Sequence, residues 1–400
     1  MASIYEYDGS KGDDWVGLDD LFFLGDASFL EIWGDVTVDL FGGAKGGDDT
    51  LEAGDNAYSV EIFGDATSLL ENSVGGADTI IVGANNTYAF IYGDSQRMED
   101  FSVGGNDEIF GGETGFQEFL YGDANWISGN ANAGDDVLWG GDHVSDGSYL
   151  FGDGDLSAQA IGGDDILHGG DHSAVVILTG DGLMRNYATG GNDILIAGDG
   201  CSVVVMQGDS QQINGIGGLV TAGDDLLVSG GNEITRLYGD AQEAVGALIC
   251  GNDTLVSGPG VDEMWGDLGR DLSTSLITGA DVFVFDFDNG ADIIHDFERG
   301  KDIVDLSALD LFMPPGNAPL SHLSPRAVAK LKDAPPSKIG FEVLDSNGNG
   351  ILDDGDDAIQ VVNGGLDTVI DLGLTRGEAA VEDTILLTGV TGLEAADFLF

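Results

Sequence analysis

Gly105-Asn106-Asp107-Glu108-Ile109-Phe110-Gly111, followed by Phe119-Leu120-Tyr121-Gly122-Asp123, contains the two landmarks that organise this 400-residue chain. In the first, an Asp stands two residues before an aliphatic side chain. The arrangement recurs at Asp49, Asp78, Asp107, Asp136, Asp165, Asp193, Asp225 and Asp253, paired with Leu51, Ile80, Ile109, Leu138, Leu167, Leu195, Leu227 and Leu255. The first five Asp are 29 residues apart, and the later gaps are 28, 32 and 28. A period this regular means one supersecondary unit stacked on itself.

The second landmark is a Gly-Asp pair, found at Gly34-Asp35 and then at Asp65, Asp94, Asp123, Asp153, Asp181, Asp209, Asp240 and Asp267, each preceded by its Gly. Two residues before each Gly stands an apolar side chain, from Ile32 through Leu120 to Met264. Side chains alternate along a strand, so these aliphatics share an inward face. The sequence predicts two short strands per turn, each bordered by a Gly/Asp turn. Its fold class is all-β: a parallel β-roll or β-helix solenoid of about 29-residue turns with a small α+β C-terminal cap. Eight turns at about 4.8 Å each make a rod section roughly 40 Å long. One buried Leu or Ile contributes about 1.5–3 kcal/mol. That is modest against the entropy of ordering a whole turn, so another source of stability is needed, and bound metal is the obvious one.

Composition points the same way. There are 66 Gly, and 72 acids against 13 bases give a net charge of −59. Of the acids 55 are Asp and 17 Glu. Asp suits tight turns and offers two hard oxygens to a hard cation. A compact chain with this charge repels itself, so counter-charge must bind. Nucleic acid and anionic membrane surfaces are not expected as partners of such a chain. Apolar residues make up 42% of the chain and recur in register, which argues for a folded protein rather than a disordered one. Cys201 and Cys250 fall at different phases of the repeat, and free thiols are expected. The N-terminus MASIYEYDGSKGDDW has neither the basic start nor the apolar run of a signal peptide, and no stretch approaches a membrane span.

The segments Gly105-Asn106-Asp107-Glu108-Ile109, Gly163-Asp164-Asp165-Ile166-Leu167 and Gly191-Asn192-Asp193-Ile194-Leu195 resemble the hemolysin-type, or RTX, calcium-binding repeat, Gly-Gly-x-Gly-x-Asp-x-aliphatic-x. The resemblance spans roughly residues 11–306. It implies a parallel β-roll with several calcium ions between adjacent coils, bound by turn carbonyls and Asp carboxylates. The eight phased Asp are then the first-choice ligands, and Asp65, Asp94, Asp123, Asp153, Asp181, Asp209, Asp240 and Asp267 the second. The competing reading is that these side chains only cap turns. Inserted segments and an eroded first half of the nonapeptide, as in Asn130-Ala131-Asn132-Ala133-Gly134, depart from the family pattern and suggest calcium along one edge only.

The residues just before the Gly-Asp pairs read Trp33, Phe63, Tyr92, Tyr121, Phe151, Thr179, Gln207, Tyr238 and Trp265. Alternation points this column away from the core, as a stiffening ladder or a lateral contact surface. Residues 279–313 resemble the segment that closes RTX rolls. Residues 314–340 form a Pro-rich linker, with a short helix expected from Ser324-Pro325. Asp345-Ser346-Asn347-Gly348-Asn349-Gly350-Ile351-Leu352-Asp353-Asp354-Gly355-Asp356 resembles an EF-hand loop, with Asp356 replacing the usual Glu as in dockerin-type loops. That likeness implies calcium held by Asp345, Asn347, Asn349, the Ile351 carbonyl, Asp353 and Asp356. Thr391 and Glu394 form a capping-box pattern, and the acidic end Asp397-Phe398-Leu399-Phe400 looks like an uncleaved type I secretion signal. The organisation read from the sequence is therefore an N-terminal cap and first turn (1–40), repeats (41–278), a closing segment (279–313), the linker (314–340) and a C-terminal region (341–400).

No Gly-x-Ser-x-Gly or His-Glu-x-x-His motif is present, and the five His are scattered. His143 and His172 each follow Gly-Gly-Asp, a turn position. The sequence therefore predicts a secreted or extracellular, non-enzymatic, calcium-binding structural protein of a surface layer, matrix or adhesion surface. It would fold on meeting calcium, self-associate into fibres or sheets, and use type I secretion machinery. The alternative is a module that binds a carbohydrate, host protein or cell surface through the aromatic stripe. A β-helix epimerase or lyase is the remote third.

Overall fold

Short runs rich in Ile, Leu, Val and aromatic residues, cut by Gly-Asp and Gly-Gly pairs, are too brief for helices and suit a pleated strand with one buried face. In the computed structural model, which describes residues 2–5, 7–12, 15–25, 27–286, 289–307, 340–373 and 383–400, each repeat forms one coil of a parallel β-solenoid. The turn beginning at Asp107 shows the plan. Glu108–Phe110 lies in sheet I, Gln117–Tyr121 in sheet II and Ala124–Ser128 in sheet III. Among the described residues the three sheets have 12, 14 and 10 strands. The register matches the sequence period: Ile109 lies between Ile80 and Leu138, and Leu120 between Ile91 and Leu150.

The all-β solenoid of 29-residue turns is thus present, but a turn has three strands where the sequence reading gave two. The third strand escaped because its inward residues are three apart, as with Ala124 and Ile127, and its burial pattern lacks strict alternation. Its inward column reads Leu69, Met98, Ile127, Leu156, Met184 and Ile213, all fully buried. The 32-residue gap before Asp225 is absorbed here too. The sheet III strand Ser210–Thr221 is long, and its register shifts between Gly215 and Val220, so the extra residues bulge outward without disturbing sheets I and II.

Two separate cores result. One fills the space between sheets I and II and contains Leu51, Ile62, Ile109, Leu120, Leu138 and their equivalents. The other lies beneath sheet III. Between them the coil narrows to a waist where the Gly-Asp pair faces the Gly-x-Asp segment. Cys201 belongs to the first core and Cys250 to the second, and both are free thiols, as expected from their phases.

The chain end adds to the last coil. Thr384–Leu387 pairs in parallel with Ala291–Ile294, then Asp367–Asp371 and Ile359–Val362 follow antiparallel. Phe398–Leu399 extends sheet I beside Ile303–Asp305. The cap expected from 279–313 is therefore completed by strands from beyond residue 340. The capping box also differs from its expected place: Glu394 and Asp397 form it, around the 3-10 turn Ala395–Asp397. The helix expected from Ser324-Pro325 lies outside the described residues. No described helix is long and apolar enough to cross a membrane.

Candidate metal centre

The two Asp columns, which the sequence places on separate edges of the roll, meet at the waist and form one internal seam. In the middle of the rod Asp123, Asp136 and Asp153 each bring a carboxylate oxygen within 4.8 Å of the others. All sixteen Asp of the two columns are buried, none more than 6% exposed.

The first column makes a ladder along the rod. Each Asp N–H donates to Oδ1 of the Asp one turn later: Asp49 to Asp78 at 2.6 Å, Asp107 to Asp136 at 2.6 Å, Asp193 to Asp225 at 2.7 Å and Asp225 to Asp253 at 2.8 Å. Capping alone would account for Oδ1. It does not account for Oδ2, which in Asp78, Asp107, Asp136, Asp165, Asp193, Asp225 and Asp253 is buried without a hydrogen-bond partner.

The glycines explain where Oδ2 points. An added Cβ on Gly93 would meet Gly122 O at 1.6 Å and Asp107 Oδ2 at 2.0 Å, and one on Gly122 would meet Gly152 O at 1.8 Å and Asp136 Oδ2 at 2.1 Å. Glycine is needed at these positions because the carboxylate and the next turn's carbonyl occupy the volume of a side chain. A peptide oxygen and a carboxylate oxygen therefore face each other closely, and both are acceptors. Only a proton or a cation between them makes that arrangement favourable.

The second column is anchored from the other side. The Gly105 N–H donates to both oxygens of Asp94 at 3.1 Å, the Gly134 N–H to Asp123, and the Gly251 N–H to Asp240 at 2.7 Å. In Asp181, Asp209 and Asp240, Oδ2 is again buried without a partner. These contacts fix carboxylates of both columns within the seam, a set of hard oxygen ligands that could hold a metal ion.

Electrostatics measure the tension. Burial pushes the Asp78 carboxyl well above its usual range, with repulsion from Asp65, Asp107 and Asp49 adding to it. Burial does the same to Asp136, reinforced by Asp123, Asp107 and Asp165. Asp181 is raised to about 6, burial leading and several hydrogen bonds opposing it. An ionised buried carboxylate needs a counter-charge, and packed columns of them need it more.

The seam extends beyond the residues read from the sequence. The Asp253 N–H donates to Asp281 Oδ1 at 2.9 Å, and the Asp281 N–H to Asp302 at 3.1 Å. Burial raises Asp281 to about 8, opposed by the Asp253 N–H and reinforced by Asp267 and Asp302. Asp281 stands two before Phe283 and Asp302 two before Val304. Widening the pattern from Leu or Ile to any large apolar residue recovers both. The exposed side of the same segment has its own ladder of opposite polarity, in which the Asp164 N–H donates to Asp135 and the Asn192 N–H to Asp164.

The C-terminal loop folds around its own carboxylates. Asp345 accepts N–H groups from Gly348 at 2.7 Å and Asn349 and Gly350 at 3.0 Å, while Asp356 accepts from Asn347 and Asp353 at 3.0 Å. Gly350 takes the left-handed φ of +89° that its loop position requires. The Asn349 side chain lies on Asp353, and Ile351 is held at the rim by its N–H to Asn349 Oδ1. Among the described residues the clusters of three acid or thiol ligand atoms within 4.8 Å are Asp123–Asp136–Asp153 and Asp240–Cys250–Asp267. The loop carboxylates Asp345, Asp353 and Asp356 do not form such a cluster.

The aromatic column, expected on an open outer face, is a stacked ladder that the fold largely covers: Phe63, Tyr92 and Tyr238 are each 4% exposed, and Thr179 and Gln207 are buried. Successive centroids from Trp33 through Phe63, Tyr92 and Tyr121 to Phe151 are 4.8–5.6 Å apart, with ring planes within 13° of parallel. Thr179 and Gln207 interrupt it and hydrogen-bond to each other at 2.9 Å; Tyr238, Trp265 and His295 resume it. His143 and His172 occupy left-handed turn positions, as expected, and stack on each other. No protein-family model and no curated protein matches this sequence.

Proposed function

We propose that the protein is a calcium-conditional structural rod that works outside the cell. The observation behind this reading is the seam: buried Asp Oδ2 atoms without donors, facing peptide oxygens. Calcium is the cation of choice because all the seam's donors in the repeats before Cys250 are oxygens, and because an RTX-type repeat is what the sequence resembles. Without cations the columns repel and the turns separate. With cations the seam joins each coil to the next, and folding and binding are one event. The EF-hand-like loop near the C-terminus is read as an additional calcium site. In this reading the chain is exported unfolded and folds where calcium is abundant.

The same reading makes the rod a scaffold rather than an enzyme. An open depression of about 520 Å³ lies beside the break in the aromatic ladder, next to Gln211, Gln242 and Tyr238. Its charged groups, Glu243 and Arg270, are paired with each other at 3.0 Å. Lateral assembly is favoured over glycan capture by the ladder geometry. Rings stacked in parallel cover one another's faces, and Phe63, Tyr92 and Tyr238 are buried, so the column offers no open face for a sugar ring to pack on. Phe90, Phe119 and Tyr149 form a second stacked row on the outer face of sheet II, continued by Ile177 and Val205. That apolar face suits contact with another apolar sheet.

The test is far-UV circular dichroism of the chain in EGTA, then titrated with calcium to the millimolar range, with electron microscopy of the product. A strand spectrum that appears with calcium, followed by fibres or sheets, is expected. A spectrum that chelation leaves unaltered at pH 8, where the seam carboxyls ionise, overturns the proposal.

A further inference from the structure

The seam changes character at one turn. The residue preceding the waist glycine is Gly75, Gly104, Ala133, Gly162, Gly190 or Ala222 in successive coils, and then Cys250. At Gly104 an added Cβ would lie 1.6 Å from Asp123 Oδ1, so in that coil the carboxylate fills the space. At Cys250 a sulfur shares it. The Cys250 Sγ and one oxygen each of Asp240 and Asp267 lie within 4.8 Å of one another, and all three residues are buried. Both carboxylates are fixed by glycine amides, Asp240 by the Gly251 N–H at 2.7 Å and Asp267 by the Gly279 N–H at 2.5 Å. Asp240 is fully buried, its Oδ2 accepts no N–H or O–H, and the Cys250 thiol lies against the carboxyls of both Asp240 and Asp267.

We propose that Asp240, Cys250 and Asp267 form a distinct site for a thiophilic divalent cation such as zinc, cobalt or cadmium. Two carboxylates and a thiolate suit such an ion, whereas calcium takes oxygen donors and gains nothing from sulfur. Binding replaces the thiol proton by the metal: the S–H bond breaks, an S–metal bond forms, and that proton, with any held by the Asp240 and Asp267 carboxyls, passes to solvent with no change of oxidation state. Cys201, in the core between sheets I and II, accompanies no such cluster among the described residues. The site deepens the reading of the seam as a cation channel, but its optical signal is independent of calcium.

The experiment is titration of the full-length, calcium-loaded chain with cobalt chloride, followed by near-ultraviolet and visible absorption. A thiolate-to-cobalt charge-transfer band saturating at one equivalent is expected in the parent chain and in Cys201→Ser. In Cys250→Ser, with its far-UV spectrum unchanged, the band should fall at least tenfold. Should the serine variant not fold, Asp240→Asn serves instead, with an expected tenfold or greater loss of cobalt affinity. Absence of the band at one equivalent, its survival in Cys250→Ser, or unaltered affinity in Asp240→Asn overturns the site. A cobalt band in a chain whose fold ignores calcium would refute the calcium reading and leave this one standing. Calcium-dependent folding without the band would do the reverse.

Discussion

Removing metal should invert the usual pH dependence of stability, and Asp281 gives the size of the effect. Its carboxyl titrates at about 8 in the folded chain, mainly through burial. An unfolded Asp titrates near 3.9, so the difference is about four units, or about 5–6 kcal/mol at 1.36 kcal/mol per unit. Because the folded value is raised, the folded chain holds a proton that the unfolded chain has already lost. Ionisation therefore favours unfolding. The contribution is complete below about pH 4 and is lost as pH rises towards 8. Asp296, raised to about 7, and Asp181, raised to about 6, act in the same direction within that window. Net stabilities of about 5–15 kcal/mol are normal, so ionising this one group consumes much of the margin. The assay is urea denaturation of the metal-stripped chain by circular dichroism from pH 5 to 8.5, where exposed carboxylates stay ionised, repeated with millimolar calcium. Without calcium the midpoint should fall steadily with pH, and strand signal should vanish near pH 8. With calcium the midpoint should be nearly flat. A metal-free chain equally stable at pH 5 and pH 8 would refute the seam as the source of instability.

Asp136→Asn keeps the acceptor for the Asp107 N–H and places an amide donor near the Gly152 carbonyl. It should raise metal-free stability by about 1–3 kcal/mol and shrink the gain on adding calcium, measured as paired urea midpoints. Gly122→Ala puts a methyl where Asp136 Oδ2 and Gly152 O already lie; a loss of about 3 kcal/mol, of the order seen for overpacking, is expected in the calcium-bound state. Leu138→Ala removes a fully buried side chain between Ile109 and Leu167 and should cost about 2–5 kcal/mol, which, with folding and binding coupled, moves the calcium midpoint of folding to higher calcium.

Much of the coil was legible because its determinants are local and periodic. Asp107 and Ile109 show that a strand follows, and Leu120 with Gly122-Asp123 shows where the next one ends. The register of sheets I and II is the sequence period itself. Sheet III was hidden because Ala124 and Ile127 are spaced neither by two nor by four, and the strand gains its order from pairing with neighbouring turns. The seam was half legible. Both Asp columns could be named from sequence, but their convergence depends on how sharply the chain bends at Gly122 and Gly134, and no spacing rule encodes that angle. Cys250 passed as an isolated thiol because its partners Asp240 and Asp267 belong to two different coils.

Two seam carboxylates per coil carry the charge that one divalent ion cancels. Were the seam filled at one ion per coil, it would be electroneutral along its length, and a longer rod would accumulate no more internal charge than a shorter one. Coils then become interchangeable units: excising a single 29-residue repeat from the middle would remove two charges and one ion together and let the N–H ladder close over the cut. On that reading repeat number could change, and rod length with it, without redesign of the interior.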